Sequence, residues 1–165
     1  MAAGLPDLVD CARLAEDASV LQREYELSEL PRVKDLLAEP QGTLSASFAF
    51  TKSSSGRPAA EVKVAATPRL VCQRCMEGFE LPLSGGSEVE FAASEEPDTV
   101  DTEREIFSVP DGRVSLRELA EEELLLALPI APACSTPLTC GKAPPDVTGD
   151  QRRPFSALQD LLKKT

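Results

Sequence analysis

The stretch Thr43-Leu44-Ser45-Ala46-Ser47-Phe48-Ala49-Phe50 decides how the chain is read. Leu44, Ala46, Phe48 and Phe50 recur every second residue. In extended backbone successive side chains point to opposite faces, so this run predicts a half-buried strand. Lys52 to Pro58 (KSSSGRP) has the composition of a turn, and in Ala60 to Val71, interrupted by Pro68, Val62 and Val64 share a face. The two runs predict a long hairpin. Further on, Phe79, Leu81 and Leu83 alternate, Gly85-Gly86 breaks the pattern, and Val89 and Phe91 resume it. Connections this short carry no crossover, which makes antiparallel pairing the expectation.

The flanks of this sheet predict a few short helices. Asp7 to Asp17 spaces Leu8, Cys11, Ala12 and Ala15 along one helical face. A strand is expected over Tyr25 to Leu30, and Pro31 then opens a helix over Arg32 to Glu39 that Pro40, Gln41 and Gly42 end. The acidic stretch 93–105 lacks apolar periodicity and predicts a mobile loop, followed by a brief strand at Ile106, Phe107 and Val109. Ser115 to Leu128 predicts a helix, with Ser115 and Glu118 as a capping box. Its buried stripe is Leu116, Leu119, Ala120, Leu124 and Ala127, while Glu121, Glu122 and Glu123 face water. Pro129 ends it, a Pro-rich segment 129–154 follows, and Phe155 to Lys164 reads as a short amphipathic helix. The expected fold is α+β, a single domain over 1–165 with an antiparallel sheet.

Composition narrows the function. The 165 residues include 17 basic and 28 acidic side chains and no histidine, for a formal charge of -11. Without imidazole there is no Ser-His-Asp or Cys-His nucleophile and no His-ligated zinc hydrolase. Residues 77–123 hold 15 acids against Arg104, Arg113 and Arg117, a net of -12, and the remainder carries +1. That balance suits a basic partner and disfavours non-specific binding along a nucleic-acid backbone. The six Phe and one Tyr mostly alternate along strands, as core residues do. With no phosphate-binding glycine loop and no carboxylate pair that stands out, no small-molecule substrate and no enzymatic activity are expected. Met1 to Asp7 lacks a basic and an apolar targeting region, and the apolar stretch Leu124 to Cys134 is broken by Pro129 and Pro132. A cytoplasmic protein without a membrane span is expected, with its five cysteines reduced.

Cys72-Gln73-Arg74-Cys75 is the sharpest local motif. Two cysteines separated by two residues can turn both sulfurs toward one tetrahedral metal, and Cys134 with Cys140 would complete a four-thiolate zinc set. The second pair has five intervening residues, more than the usual two to four. The alternative is a tight hairpin turn with two partly buried free thiols. A thiol-disulfide enzyme would need the pair at a helix N-terminus in a βαβ context, and here it lies between strand-like runs. Cys11, on an apolar helical face, reads as a small core residue.

Val71-Cys72-Gln73-Arg74-Cys75-Met76-Glu77-Gly78-Phe79, the run from Leu116 to Pro132 (LRELAEEELLLALPIAP) and Pro154-Phe155-Ser156-Ala157-Leu158 together resemble the YceD family, from about Ser19 to the end. These are the bacterial large ribosomal RNA subunit accumulation proteins. The resemblance implies a role in synthesis, processing or stability of 23S rRNA and in large-subunit assembly. Many relatives carry histidine where this chain has Cys134 and asparagine where it has Arg153. The expected partner is a basic ribosomal protein or ribosomal RNA, with Arg69, Gln73, Arg74, Arg152 and Arg153 as local contacts. The alternative is a zinc-stabilised protein-interaction module unrelated to the ribosome.

Overall fold

The alternation that begins at Thr43 does fold as a strand, and it becomes the second of five in the main sheet. A computed structural model describes residues 7–93, 105–135 and 140. In chain order they form β1 (Leu8–Asp10), α1 (Cys11–Glu16), β2 (Val20–Glu26), a 3-10 turn (Leu27–Glu29), α2 (Pro31–Lys34), β3 (Thr43–Lys52) and β4 (Pro58–Ala66). There follow β5 (Arg69–Val71), β6 (Gly78–Glu80), β7 (Leu83–Ala92), β8 (Glu105–Ser108), β9 (Arg113–Ser115) and α3 (Leu116–Ala127). The result is α+β. The main sheet has the order β2-β3-β4-β7-β8, and two small sheets pair β1 with β9 and β5 with β6.

Register follows the hydrophobic pattern. Phe48 lies opposite Val62, Ala46 opposite Val64 and Phe50 opposite Ala60, all buried. Ala60 continues to Val89 on β7, and the Phe50 and Phe91 rings stack with centroids 6.0 Å apart. Slipping any strand by one residue would turn this set to water. Helix α3 packs on β4 and β7, and α1 on β3 and β4. Leu116, Leu119, Ala120 and Leu124 complete the core from α3, while Ala127 is half-buried.

Several elements depart from the sequence expectation. Leu8–Asp10 is a strand because it pairs with Arg113–Ser115, and the helix starts only at Cys11, where Asp10 accepts from the Arg13 amide at 3.0 Å. The second strand is Val20–Glu26, earlier than Tyr25 to Leu30, since it pairs with β3 along its whole length. Helix α2 stops at Lys34 rather than Glu39. The long strand expected to Val71 ends at Ala66, before Pro68, and Arg69–Val71 pairs with β6 instead.

The glycine pair does not break β7. Gly85 and Gly86 sit inside the strand because neighbours come too close for a side chain. A Cβ on Gly86 would lie 2.8 Å from the Val62 carbonyl oxygen, and one on Gly85 would lie 3.1 Å from Ala127 Cβ of α3. The strands expected to pair antiparallel do so, and β8, whose partner the periodicity does not assign, pairs with β7 in parallel. Residues 93–104 supply about the dozen residues that a parallel connection needs. Residues 94–104 of the acidic stretch, expected as a mobile loop, and the amphipathic run 155–164 lie outside the described residues.

The glutamate run of α3 is also not all solvated: Glu121 and Glu123 are buried. Glu121 Oε1 accepts from the backbone amides of Arg32 at 2.6 Å and Val33 at 3.2 Å, giving α2 the acceptor that Leu30 at its N-cap cannot supply. Glu122, which stays at the surface, pairs with the Arg32 guanidinium. At the start of α3, Ser115 Oγ accepts from the Glu118 amide at 3.3 Å, the serine half of the expected capping box. Asp7 adds a second acceptor there, taking the Arg117 amide at 3.0 Å and the Ser115 hydroxyl at 2.7 Å.

Candidate metal centre

The first cysteine pair occupies the turn between β5 and β6. Leu70, buried on β5, anchors this small hairpin. The chain reverses through a bond from the Cys72 amide to the Glu77 carbonyl at 2.9 Å and one from the Met76 amide to the Cys72 carbonyl at 2.8 Å. Met76 takes φ of 63°, the left-handed conformation usually left to glycine. That geometry turns the amides after Cys72 back toward the sulfurs.

The second pair arrives from the far end of α3. Leu128 closes the helix with its amide on the carbonyls of Leu124 and Leu125 at 3.1 and 3.3 Å, and Pro129 leads the chain away in extended form. It then lies against the turn at three points. The Gln73 amide donates to the Pro132 carbonyl at 2.9 Å, the Cys134 amide donates to Cys72 Sγ at 3.4 Å, and the Arg74 guanidinium donates to the Cys134 carbonyl. These contacts hold Cys134 against the first pair.

The sulfurs of Cys72, Cys75, Cys134 and Cys140 lie within 4.8 Å of one another. Cys72 and Cys140 are 3.8 Å apart, and Cys75 and Cys134 4.0 Å. A tetrahedron of thiolates at the usual zinc–sulfur length has edges of about 3.8 Å. Cys72 is buried and the other three are half-buried, so the set is partly shielded from water. Four sulfur donors leave no open position, which is the donor set of a structural site. Five intervening residues between Cys134 and Cys140 do not prevent this, because the folded chain and not the spacing sets the distance.

The electrostatics fit the same purpose. The Cys72 thiol is lowered to about 5 by amides of Cys134, Arg74 and Cys75 pointing at its sulfur. Cys140 is pushed up to about 12, by its hydrogen bond with Cys134 and by burial. The Glu77 amide and the Cys140 thiol favour the Cys75 thiolate, yet burial and the hydrogen bonds with Cys72 and Cys134 outweigh them and hold that thiol raised. Thiolates this close repel, and only a cation between them lets all four ionise together. Arg74 is raised further above its already high ordinary value by the charge Cys140 carries once ionised and by its hydrogen bond to Cys72.

Three of the five residues expected to touch RNA, Arg69, Gln73 and Arg74, share this hairpin, though not all are at liberty. Arg69 reaches Glu39 at 3.7 Å, Arg74 is bound to the Cys134 carbonyl, and Gln73, exposed, directs its amide to the Val71 carbonyl at 3.5 Å. Arg152 and Arg153 lie outside the described residues. Sequence reasoning missed Met76 and the Pro132 carbonyl, and only the left-handed turn after a C-x-x-C pair could have pointed to the first. The pair sits in a hairpin turn and not at a helix N-terminus, the placement that thiol-disulfide exchange requires. Among the described residues no helix is long and apolar enough to cross a membrane. Cys11 is buried, and its thiol is raised from 9.0 to about 11 by desolvation and by the charge of Asp10.

Comparison with curated proteins gives no match, and neither does comparison with solved structures. The profile of the family described as large ribosomal RNA subunit accumulation protein YceD matches residues 60–162, starting in β4 rather than near Ser19. That span includes the C-x-x-C turn, α3 and all four clustered cysteines. The chain belongs to the YceD family.

Proposed function

We propose that this protein is a non-enzymatic factor in the synthesis, processing or stability of 23S rRNA, and hence in assembly of the large ribosomal subunit. The family match over residues 60–162 is the observation that carries this reading. A role without catalysis of its own is supported by the absence of histidine in all 165 residues. Zinc is its structural cofactor, held by Cys72, Cys75, Cys134 and Cys140, and the four-sulfur donor set fits it. When bound, zinc ties the segment after α3 to the β5–β6 turn.

The direct partner is a basic ribosomal protein. Fifteen acids against three arginines in 77–123 supply the complementary charge, and two of the arginines suited to phosphate, Arg69 and Arg74, already hold internal partners. A cytoplasmic site of action follows from that partner. A strain lacking the gene should accumulate less 23S rRNA and show a reduced 50S peak in sucrose gradients. Normal 23S levels and a normal 50S peak would sink the reading. Crosslinking in cells should recover ribosomal protein adducts that depend on the acidic segment, whereas adducts confined to rRNA would replace the protein partner with RNA. Elemental analysis of protein purified without chelator should find zinc near one per chain, lost in Cys72→Ser, and its absence would retire the metal.

A further inference from the structure

We infer that Arg74 is a positioning residue of the four-cysteine centre, one that fastens the second cysteine pair to the first and balances the charge of the bound metal. The inference rests on the zinc reading and assigns to Arg74 a task other than contact with RNA. Arg74 stands between the two ligand cysteines of the turn, and its guanidinium, besides bonding Cys72 within the turn, reaches a residue outside it. It donates to the carbonyl of Cys134, the first ligand of the other pair and 60 residues distant in sequence. The neighbouring bonds are made by backbone amides, of Gln73 to Pro132 and of Cys134 to Cys72 Sγ. Any residue other than proline supplies those. The bond from Arg74 is the one side-chain hydrogen bond among the described residues that ties the two ligand segments together apart from the thiols themselves.

Charge gives the second half of the task. Four thiolates around a divalent ion leave a net charge of about -2. The centre is half-exposed, in a chain of net charge -11, with Glu77 directly after the turn. A fixed guanidinium beside the sulfurs halves the local excess. Lysine would keep the charge but not the planar fork that reaches a carbonyl in a set direction, and glutamine would keep a donor but not the charge. The outer partners of metal ligands have effects of about 10- to 100-fold on metal affinity in comparable sites.

The test uses full-length protein with Arg74→Gln and Arg74→Lys beside the parent, purified without chelator, with folding checked by far-UV circular dichroism. Zinc affinity is measured by competition with a chromophoric chelator, and each protein is also loaded with cobalt(II) as a spectroscopic stand-in. Arg74→Gln should bind zinc about 10- to 100-fold more weakly. Its sulfur-to-cobalt charge-transfer bands should move to longer wavelength, because loss of the positive charge raises the energy of the sulfur electrons. Arg74→Lys should leave these bands near the parent position and lose less affinity. Parent affinity and unshifted bands in Arg74→Gln would overturn the inference, and so would equal losses in both variants without a band shift, which describe a merely structural contact. A parent protein that holds neither zinc nor cobalt would instead sink the zinc reading on which the inference rests.

Discussion

Met76 shows how much a single residue can reveal. A side chain with a Cβ sits in left-handed backbone because the turn must aim its amides at the sulfurs of Cys72 and Cys75, and the surrounding bonds hold it there. Met76→Gly should therefore raise stability by about 1 kcal/mol in urea denaturation, with zinc content unchanged. Cys11 carries a different kind of constraint. Its thiol ionises near 9.0 when unfolded and near 11 when folded, so the folded form is disfavoured once the unfolded chain can shed this proton. The contribution is fully present below about pH 9 and is lost as pH rises toward 11. Cys11→Ala should lower stability at neutral pH but lose less of it between pH 9 and 11 than the parent does. Equal alkaline slopes in the two proteins would remove Cys11 from the account.

At the scale of elements, the close approach at β7 and the buried glutamate of α3 make the sharpest demands. Gly86→Ala would force its Cβ against the Val62 carbonyl oxygen, which belongs to the backbone and cannot swing aside. A loss of about 1 to 3 kcal/mol is expected in thermal or urea unfolding. Glu121→Ala would leave the amides of Arg32 and Val33 without their acceptor. Burial of two such donors should cost about 1 to 3 kcal/mol, and hydrogen exchange of the Val33 amide should speed up before that of β3 or β4. Unchanged exchange at Val33 would show that α2 does not depend on Glu121. Both effects depend on contacts between elements that are distant in sequence, Val62 with Gly86 and Arg32 with Glu121.

For the molecule as a whole, the four-cysteine cluster is the joint between the β5–β6 turn and the described residues that follow α3. The contacts that tie Pro132 and Cys134 to the body run through the C-x-x-C turn, so removing the proposed zinc should free that segment while the main sheet persists. A strong chelator should lower the melting temperature and open protease cleavage within 129–135, with readdition of zinc restoring both. Cleavage that is identical with and without chelator would refute the coupling. The circular dichroism of the strands should change little, since the sheet order β2-β3-β4-β7-β8 includes neither β5 nor β6.

The sequence by itself determined the antiparallel hairpin of β3 and β4, the capped helix α3 and the metal-competent spacing of Cys72 and Cys75. Each of these depends on residues that are neighbours along the chain, where period two, a capping serine or a two-residue gap acts directly on local geometry. Only the tertiary structure decided the parallel pairing of β8, the burial of Glu121 and Glu123, and the meeting of Cys134 and Cys140 with the first pair. Periodicity assigns a face to a glutamate from its own helix and cannot see α2 arriving to use it as a cap. Likewise, the five residues between Cys134 and Cys140 say little about a tetrahedron whose other corners lie some 60 residues earlier. Those contacts exist because burying the face shared by β4, β7 and α3 fixes where the helix ends, and that end delivers the second cysteine pair to the turn.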